Sequence, residues 1–302
     1  MTKILAFDVG GTSVKYGLWQ KGKLMGQSSF TTPASWHDMK QKMVQIKDQH
    51  ENLRGVACSF PGAVDVTQGR ISGSSAVPYI HNFNIIQELT ESFGLPVSIQ
   101  NDANCAALAE VWQGNARDVA SSIFLILGSG VGGAVVVDGK IQTGTHLFGG
   151  EFGYQVLDWH TGKTVSELAT PVSVGHNYSQ MIADGHEYSG HDVFDLEAQG
   201  EKLASQIVND FYQSLGCVVY NAALTIDPET ILIGGAVSQR PELIPRLKKA
   251  VVKQVEDHDA HGLEINLKPC LFLAAANLLG AVYQFLSEHD LLISEENGQK
   301  VN

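Results

Sequence analysis

Residues 4–27 read ILAFDVGGTSVKYGLWQKGKLMGQ, and this stretch decides the fold class. An apolar run ends at Asp8, glycines follow at once, and a second apolar run leads to a Gly22-Lys23 turn. Glycine costs about 0.5–1 kcal/mol relative to alanine in regular structure, so clustered glycines mark a sharp turn or a close approach to the backbone. The pattern predicts antiparallel strands joined by a glycine-rich turn and a second tight turn.

A later stretch repeats this order of features. Residues 122–145 read SIFLILGSGVGGAVVVDGKIQTGT, and Gly139-Lys140 corresponds to Gly22-Lys23. Glycine-rich hairpins are common, so the shared order and spacing carry more weight than the glycines themselves. Two copies in one chain predict two related halves, each of which begins with an antiparallel hairpin.

The rest of the chain alternates between strand-like and helix-like stretches, which is typical of an α/β protein. An Ala-rich helix pattern follows Asn101 and Asp102 and ends near residue 115. We place a domain boundary there and expect an N-terminal domain over 1–115 and a C-terminal domain over 116–274. The polar tail, residues 294–302, is expected to fray.

Composition and charge exclude several classes of protein. The chain has 302 residues, 44% hydrophobic and 17% charged, with a formal net charge of −12. This fits a globular protein, and the acidic balance argues against a nucleic-acid partner, which requires a basic surface. No stretch reaches the roughly 20 apolar residues of a membrane span, and the N-terminal apolar run is too short for a signal peptide. Four dispersed cysteines predict reduced thiols in the cytoplasm rather than disulfides: Cys58, Cys105, Cys217 and Cys270.

The second glycine cluster matches GxGxxG literally through Gly128, Gly130 and Gly133. A dinucleotide site requires a helix directly after the third glycine. Here AVVVDGKI follows, which is β-branched and ends in a turn, so we reject that interpretation. The chain also has no GxxxxGK[ST] motif. Two interpretations remain: a tight hairpin without a ligand, or a hairpin whose backbone amides bind phosphate.

The first glycine cluster carries polar side chains that favour phosphate binding. Asp8 ends an apolar strand, where a carboxylate is costly unless it is paired or used. Beside a phosphate site its natural use is Mg²⁺, directly or through water. Thr12 adds a hydroxyl group and Lys15 a positive charge, although Lys15 alone would be an ordinary solvated lysine. Two copies of the loop, one with these side chains, favour a phosphate-binding site.

Asn101 and Asp102 stand at a strand-to-helix corner in QNDANCAALAE, residues 100–110. Such residues are most often only helix caps. The same kind of corner faces the ligand side of α/β folds, and a carboxylate there can accept the proton of an attacking hydroxyl group in phosphoryl transfer. Both interpretations stay open on the residues alone.

Together these motifs resemble those of the ROK family of sugar kinases, part of the actin-like ATPase superfamily. AFDVGGTSVKYGL resembles the first phosphate motif of the family, SFPGAVD its Pro-Gly turn, and NDANCAALAE its catalytic and sugar-binding motif. LGSGVGGAVVVDGKIQTGTHLFGGEFGY resembles the second phosphate loop and the sugar-contacting segment, and ILIGGAVS the adenosine-side strand. The resemblance covers nearly the whole chain. It implies two actin-like, ribonuclease H-like α/β domains flanking a cleft, with the last helix, residues 275–290, packing back on the first domain.

The resemblance also implies roles for individual residues. Asp102 would be the general base that takes the proton from the sugar hydroxyl group, usually O6, and Asn101 would hold a neighbouring hydroxyl. Glu151 would bind hydroxyl groups near the anomeric carbon, and Asp8 would hold Mg²⁺, through water. The residues implied for ATP binding are Asp8, Gly10, Gly11, Thr12, Lys15, Ser129, Gly130, Gly133, Gly234 and Gly235.

The chain departs from the family on the anomeric side of the sugar. Tyr154 stands where the family has the histidine of Glu-x-Gly-His, and LDWHTGKTVSELATPVSV, residues 157–174, has no cysteine. The family's zinc is therefore not expected here, since His160 alone cannot complete a tetrahedral site. Tyr154 would keep a hydroxyl contact to the sugar, and Glu167 matches the glutamate that closes the zinc segment and reaches the sugar. These changes concern sugar specificity rather than phosphoryl transfer.

We therefore predict a cytoplasmic transferase of carbohydrate metabolism, an ATP- and Mg²⁺-dependent hexose kinase that forms a homodimer as the family does. Glucose, N-acetylmannosamine, β-glucosides and fructose stay open as acceptors, and His81 and His160 have no assigned role. The alternative is a sugar-binding regulator or sensor of the same family without kinase activity. The family's repressors carry a DNA-binding domain before DVGGT, which here begins at Asp8, and the presence of Lys15 and Asp102 favours the kinase.

Overall fold

A computed structural model describes residues 2–292, and the tail predicted to fray, residues 294–302, lies outside them. The chain forms two compact units. Within the described residues, the N-terminal unit comprises the chain up to Gly114, the short segment Thr145–Leu147 and residues 274–292. The C-terminal unit comprises Asn115–Gly144 and Phe148–Leu273. Each unit has a hydrophobic core of its own.

The strands of the N-terminal unit are β1 (Lys3–Val9), β2 (Ser13–Gln20), β3 (Lys23–Thr31), β4 (Gly55–Phe60), β5 (Ala63–Asp65), β6 (Arg70–Ser72) and β7 (Val97–Asn101). Five of them form one sheet in the order β3-β2-β1-β4-β7, and β5 pairs with β6. The helices that follow these strands are α1 (Trp36–Lys47), α2 (Ile85–Phe93) and α3 (Asp102–Gln113).

The register of this sheet brings the polar ends of its central strands together. β1 is buried from Ile4 onward, as expected of a strand covered on both faces. It pairs antiparallel with β2 and parallel with β4, which in turn pairs parallel with β7. Carboxyl ends of parallel strands meet at one edge of a sheet. Asp8 and Asn101 therefore stand at the same edge, and α3 starts there.

The strands of the C-terminal unit are β8 (Ser121–Leu127), β9 (Val131–Val137), β10 (Lys140–Ile141), β11 (Val156–Asp158), β12 (Lys163–Thr164), β13 (Thr230–Gly234) and β14 (Leu267–Pro269). Its sheet has the order β10-β9-β8-β13-β14, and β11 pairs with β12 in a small hairpin. Its helices are α4 (Val165–Leu168), α5 (Pro171–Ile182), α6 (Gly190–Ala198), α7 (Lys202–Ile226) and α8 (Leu243–Asp257).

The two main sheets share one plan, which the sequence repeat predicted. In each sheet the first strand turns antiparallel into the second and the third, and parallel strands continue on its other side. The predicted glycine-rich turns connect β1 to β2 and β8 to β9, and the Gly-Lys turns connect β2 to β3 and β9 to β10. The α/β class and the internal duplication are confirmed.

The last helix, α9 (Ala276–Glu288), belongs to the N-terminal unit, where it packs on α3 and on β1, β4 and β7. It packs tightly on α3 at Gly280, where a Cβ atom would collide with the carbonyl oxygen of Cys105. Only glycine allows the two backbones to come so close. Within residues 2–292, no helix combines the length and apolar character that crossing a membrane requires.

Candidate active site

Asp8 is a nearly buried carboxylate, 6% exposed, near the carboxyl end of β1. Its Oδ1 atom accepts hydrogen bonds from Ser59 Oγ at 2.9 Å and from Asn277 Nδ2 at 3.0 Å. Its Oδ2 atom lies 3.7 Å from the Nζ atom of Lys15, which is opposite Asp8 in the β1–β2 register. Asp8 and Lys15, each predicted as part of a phosphate site, therefore form an ion pair that was not itself predicted. Ser59 and Asn277 were not predicted from the sequence.

The glycine turn between β1 and β2 is fixed by backbone bonds. Gly10 N donates to Ser13 O at 3.1 Å, and the carbonyl oxygen of Gly10 accepts from Thr32 Oγ1 at 2.6 Å. Gly11 lies so close to Ala76 that a Cβ atom would overlap that side chain. Gly11 and Thr12 are exposed, so the turn presents its own amide and hydroxyl groups outward. Such a turn can bind an anion without a helix.

The second glycine turn lies between β8 and β9. Gly128 N donates to Gly130 O at 2.9 Å, and Val131 N donates to Ser166 Oγ at 3.0 Å. Gly128 and Ser129 are exposed. Ser166 thus fixes the end of the turn from α4, a contact between distant segments that the glycine pattern did not reveal.

Glycines also hold the predicted sugar segment against this turn. A Cβ atom at Gly133 would collide with the carbonyl oxygen of Gly150 and with the ring of Phe152, and one at Gly153 with the carbonyl oxygen of Val131. The 149–154 segment therefore packs directly on β9.

A mostly apolar cavity of about 270 Å³ opens beside Gly128 in the C-terminal unit. Its lining residues come from several separate segments: Leu127, Gly128, Pro171, His191, Phe194, Ala236, Val237 and Arg240. Leu127 and Gly128 lie in the second glycine motif, and Ala236 and Val237 lie in ILIGGAVS, whereas the other four lining residues had no role predicted from the sequence. The cavity has the size and apolar character to take a flat ring.

Arg240 forms one wall of this cavity. Its guanidinium group lies 4.9 Å from the centroid of the Phe194 ring, within the range of a cation–π contact. Nε donates to Glu242 Oε1 at 2.6 Å, and Nη1 lies 3.4 Å from Asp195 Oδ1. These carboxylates hold the guanidinium group in place over the ring.

The predicted glycine pair, Gly234 and Gly235, connects β13 to this cavity. Gly235 has φ 90°, in the left-handed region, and a Cβ atom there would collide with the carbonyl oxygen of Leu127. Both the conformation and the space require glycine. The two glycines allow the chain to pass close to the end of β8, so that the next residues, Ala236 and Val237, line the cavity.

At the strand-to-helix corner, Asn101 rather than Asp102 is the N-cap of α3. Asn101 Oδ1 accepts from Asn104 N at 3.0 Å and is the N-cap of α3, while its Nδ2 donates to Gly62 O at 3.0 Å. Asp102 is the first residue of the helix, and its Oδ1 accepts from Ala103 N at 2.8 Å. The helix therefore takes its cap from Asn101, and Asp102 is not needed for that purpose.

Asp102 has an unusual ionisation. Burial raises the pKa of Asp102 to about 6, and the negative charge of Asp8 adds to this rise. Hydrogen bonding to the backbone N–H of Ala103 acts in the opposite direction. A carboxylate with a raised pKa at a ligand-facing corner is a candidate general base.

The predicted sugar residues Glu151 and Tyr154 lie in one tight turn. Glu151 N donates to Phe148 O at 3.2 Å, and Tyr154 N donates to Glu151 O at 3.3 Å. Tyr154 and Phe148 are 64% and 62% exposed, and their rings meet edge to face at 6.1 Å. The turn presents an aromatic surface beside Glu151.

Glu167 has a structural contact of its own. Its Oε2 accepts from both the backbone N and the Oγ1 of Thr164 at 2.8 Å, and these bonds lower the pKa of Glu167. One oxygen of Glu167 therefore holds the start of α4. His160 lies in the β11–β12 turn with its ring 3.6 Å from that of Trp159. Across residues 2–292, no group of three or more His, Cys, Asp or Glu side chains is arranged to hold a metal ion.

Comparison with known proteins gives consistent matches. The model of the ROK family matches residues 4–288. A β-glucoside kinase of Klebsiella pneumoniae is 34% identical over 295 residues, covering 94% of this chain and 96% of that protein. A β-glucoside kinase of Listeria innocua is 32% identical over 303 residues, covering 95% and 99%.

Among solved structures, a ROK family protein from Streptococcus pneumoniae in complex with sucrose superposes with a TM-score of 0.89 at 32% identity. The match covers 96% of this chain and 99% of that one. Together these matches confirm the predicted α/β class with the actin-like fold.

Proposed function

Because this chain belongs to the ROK family, we propose that it transfers the γ-phosphoryl group of ATP to a hydroxyl group, O6, of a β-glucoside. The relatives matched along almost their whole length are sugar kinases, so the class of the enzyme is an ATP-dependent sugar kinase. What the proposal adds is the acceptor, the phosphorylated position and the role of each residue.

The raised pKa of the buried Asp102 carboxylate, at the start of α3, is the main support for a kinase mechanism. In phosphoryl transfer the acceptor hydroxyl group loses its proton as the oxygen–phosphorus bond forms and the bond to the leaving ADP oxygen breaks. A base with a pKa of about 6 is ionised at neutral pH and is more basic than an ordinary aspartate. We assign the proton transfer to Asp102.

The adenine ring of ATP would occupy the 270 Å³ cavity beside Gly128. Phe194 and Val237 supply apolar contact, and Arg240 faces the ring of Phe194 at 4.9 Å. Gly234 and Gly235 bring the backbone close to the nucleotide. The phosphates would lie along the exposed glycine turn that contains Ser129 and Gly130, whereas Gly133, the third glycine predicted to bind ATP, is buried in β9 against Gly150 and Phe152.

Asp8 and Lys15 would act on the phosphates together with Gly10, Gly11 and Thr12. Mg²⁺ in kinase sites is held by one or two carboxylates, water and the phosphates themselves. Asp8 fits that role: two donors occupy Oδ1, and Oδ2 faces a lysine at 3.7 Å. We propose that Asp8 holds the ion through water. Bound Mg²⁺ neutralises charge on the transferring group.

Asn101, Glu151 and Glu167 would bind sugar hydroxyl groups. An amide side chain has two donor hydrogens and two acceptor lone pairs, and Asn101 uses one of each. Its amide also donates to the carboxylate of Asp102, so what Asn101 keeps for a substrate hydroxyl group is an acceptor lone pair. Glu167 uses Oε2 for Thr164 and keeps Oε1.

The choice of a β-glucoside rests on the named relatives and on the aromatic surface beside Glu151. A β-glucoside carries a further group on its anomeric carbon. Tyr154 and Phe148 are exposed and meet edge to face, so they can pack on that group. Glucose, fructose and N-acetylmannosamine lack it and would be poorer acceptors.

We further propose that the two compact units correspond to the functional domains expected at 1–115, with the last helix 275–290, and at 116–274. The homodimer and the cytoplasmic location stay predictions, as does the absence of zinc.

The test is a coupled assay of ATP consumption over a panel of acceptors, with Mg²⁺ and with EDTA. The panel contains cellobiose, methyl β-glucoside, methyl α-glucoside, glucose, fructose, N-acetylglucosamine and N-acetylmannosamine. We expect Mg²⁺-dependent turnover with the highest kcat/KM on a β-glucoside, and a 6-phosphate product by NMR. Equal turnover of methyl α- and β-glucoside would refute the acceptor. No turnover by folded protein, with a rise in Tm on adding a sugar, would indicate a sensor instead.

A further inference from the structure

α9 carries a polar stripe on an otherwise apolar helix. Asn277, Gln284 and Glu288 are seven and four positions apart, which puts their side chains on one face. That face runs along β7, where Glu288 meets Ser98 and Gln284 meets Gln100, and Asn277 reaches Asp8 near the carboxyl end of β1. Each of the three side chains hydrogen-bonds a residue of this sheet or a neighbour on the stripe.

Asn277 contacts Asp8 directly. Its Nδ2 donates to Asp8 Oδ1 at 3.0 Å, and Ser59 Oγ donates to the same oxygen at 2.9 Å. Two donors on one carboxylate oxygen fix the rotation of the whole group. Oδ2 is thereby held toward Lys15, at 3.7 Å.

The next residue of the stripe acts on the corner that bears Asp102. Gln284 Oε1 accepts from Gln100 Nε2 at 3.3 Å. Gln100 Oε1 in turn accepts from Asn101 N at 2.8 Å and from Asn104 Nδ2 at 3.2 Å. Gln284 itself is held by Glu288 Oε1 at 2.7 Å. The stripe therefore reaches both the Asp8 strand and the start of α3.

The helix that carries the stripe cannot shift easily. At Gly280 it packs against the backbone of Cys105 with no space for a side chain. The position of the Asn277 amide relative to Asp8 is therefore set by tight helix packing and not by a mobile loop.

We propose that Asn277 is a positioning residue, which holds Oδ1 of Asp8 so that Oδ2 is presented to the magnesium–nucleotide complex. The inference rests on the proposed role of Asp8. An alanine at 277 would leave Oδ1 of Asp8 with one donor, Ser59, and the rotation of the carboxylate would be less tightly fixed. Nucleotide binding that depends on Mg²⁺ should weaken, while binding without Mg²⁺ should not.

The experiment measures the Kd of ADP by calorimetry, once with Mg²⁺ and once with EDTA. The readout is the Kd in EDTA divided by the Kd with Mg²⁺, which states how much Mg²⁺ strengthens ADP binding. We expect Asp8→Asn to reduce this ratio to about one. Asn277→Ala should reduce it about fivefold, with the Kd in EDTA and the KM for sugar unchanged and kcat lowered. Ser287→Ala, an exposed position on the same helix, is the control and should match the wild type. Ser59→Ala, which removes the other donor from a different element, should act like Asn277→Ala and serves if the latter does not fold.

The outcomes separate the inference from the proposed function. A wild-type ratio of one, or a ratio unaffected by Asp8→Asn, would overturn the role of Asp8 and the inference with it. If the ratio falls to about one in Asp8→Asn but keeps its wild-type value in both Asn277→Ala and Ser59→Ala, the inference about Asn277 is overturned and the role of Asp8 stands. Equal weakening of ADP binding with and without Mg²⁺ would show a merely structural role for Asn277, and would also overturn it.

Discussion

Asp102 and Asp8 are two carboxylates of one unit that interact electrostatically. Burial, and after it the charge of Asp8, brings the pKa of Asp102 to about 6. Asp8 is itself hydrogen-bonded by Ser59 and Asn277 and faces Lys15. The environment of one carboxylate thus tunes the basicity of the other, an arrangement typical of acid–base sites.

The pH dependence of the reaction should report the ionisation of Asp102. We expect kcat to rise between pH 5 and pH 7 with an apparent pKa near 6, because only the ionised carboxylate accepts the proton. The measurement uses saturating Mg²⁺ and ATP. Asp102→Asn should lower kcat by roughly 10²–10⁴-fold. A variant with near wild-type turnover would contradict the assignment of the base.

The same residue should reduce the stability of the protein at neutral pH. A pKa raised in the folded state means that the native protein binds more protons than the unfolded chain between about pH 4 and pH 6. The free energy of unfolding therefore loses this contribution as pH rises through 6. Asp102→Asn removes the buried charge, so its Tm should exceed that of the wild type at pH 8 and approach it near pH 4. A constant difference in Tm across this range would contradict the raised pKa.

Asn101 should contribute to both stability and activity. As the N-cap of α3 it is expected to stabilise the protein by about 1 kcal/mol, and Asn101→Ala should lose this in urea unfolding. Asn84 is the matched control, because its side chain accepts from Gln87 N at 2.9 Å as the N-cap of α2. Asn84→Ala should lower stability similarly with kcat/KM unchanged, whereas Asn101→Ala should lower kcat/KM as well. Equal activity of the two variants would remove Asn101 from the sugar site.

Arg240 offers a test of the nucleotide cavity. Arg240→Ala should raise the Kd of ADP about tenfold, because it removes a wall of the cavity and the contact to Phe194. Arg246 forms a similar pair outside the cavity, 4.2 Å from the ring centroid of Tyr212 and bonded to Glu197. Arg246→Ala should therefore lower stability without changing the Kd. If both substitutions weaken ADP binding equally, the cavity is not the adenine site.

Much of the architecture could be predicted because it depends on local pattern. The alternation of apolar strands and glycine turns occurs twice in the chain. This repeat predicted both hairpins and the plan that the two sheets share. Asp8 and Lys15 were noticed because both flank one glycine turn, but their contact depends on the β1–β2 register, which only the structure shows. Asn101 and Asp102 were both possible caps on the residues alone, since the choice depends on a rotation that no pattern encodes.

The contacts that the sequence did not reveal join distant segments. Asn277 reaches Asp8 across 269 positions, and an asparagine in an apolar helix has no pattern that names its partner. Ser166 reaches Val131 from a short helix after a hairpin. The cavity beside Gly128 is assembled from separate loops and helices. In each case tertiary packing, rather than periodicity, determines the neighbour.

The placement of α9 has a consequence for synthesis on the ribosome. The N-terminal sheet is made first, yet the helix that covers β1, β4 and β7 is translated only after the whole C-terminal unit. Until then Gly55 lacks the Phe285 ring that packs on it, and Asp8 lacks one of its donors. The nascent N-terminal sheet is therefore completed only once α9 has been made, and a product truncated before α9 would lack both the hydrophobic cover of this sheet and one hydrogen-bond donor to Asp8.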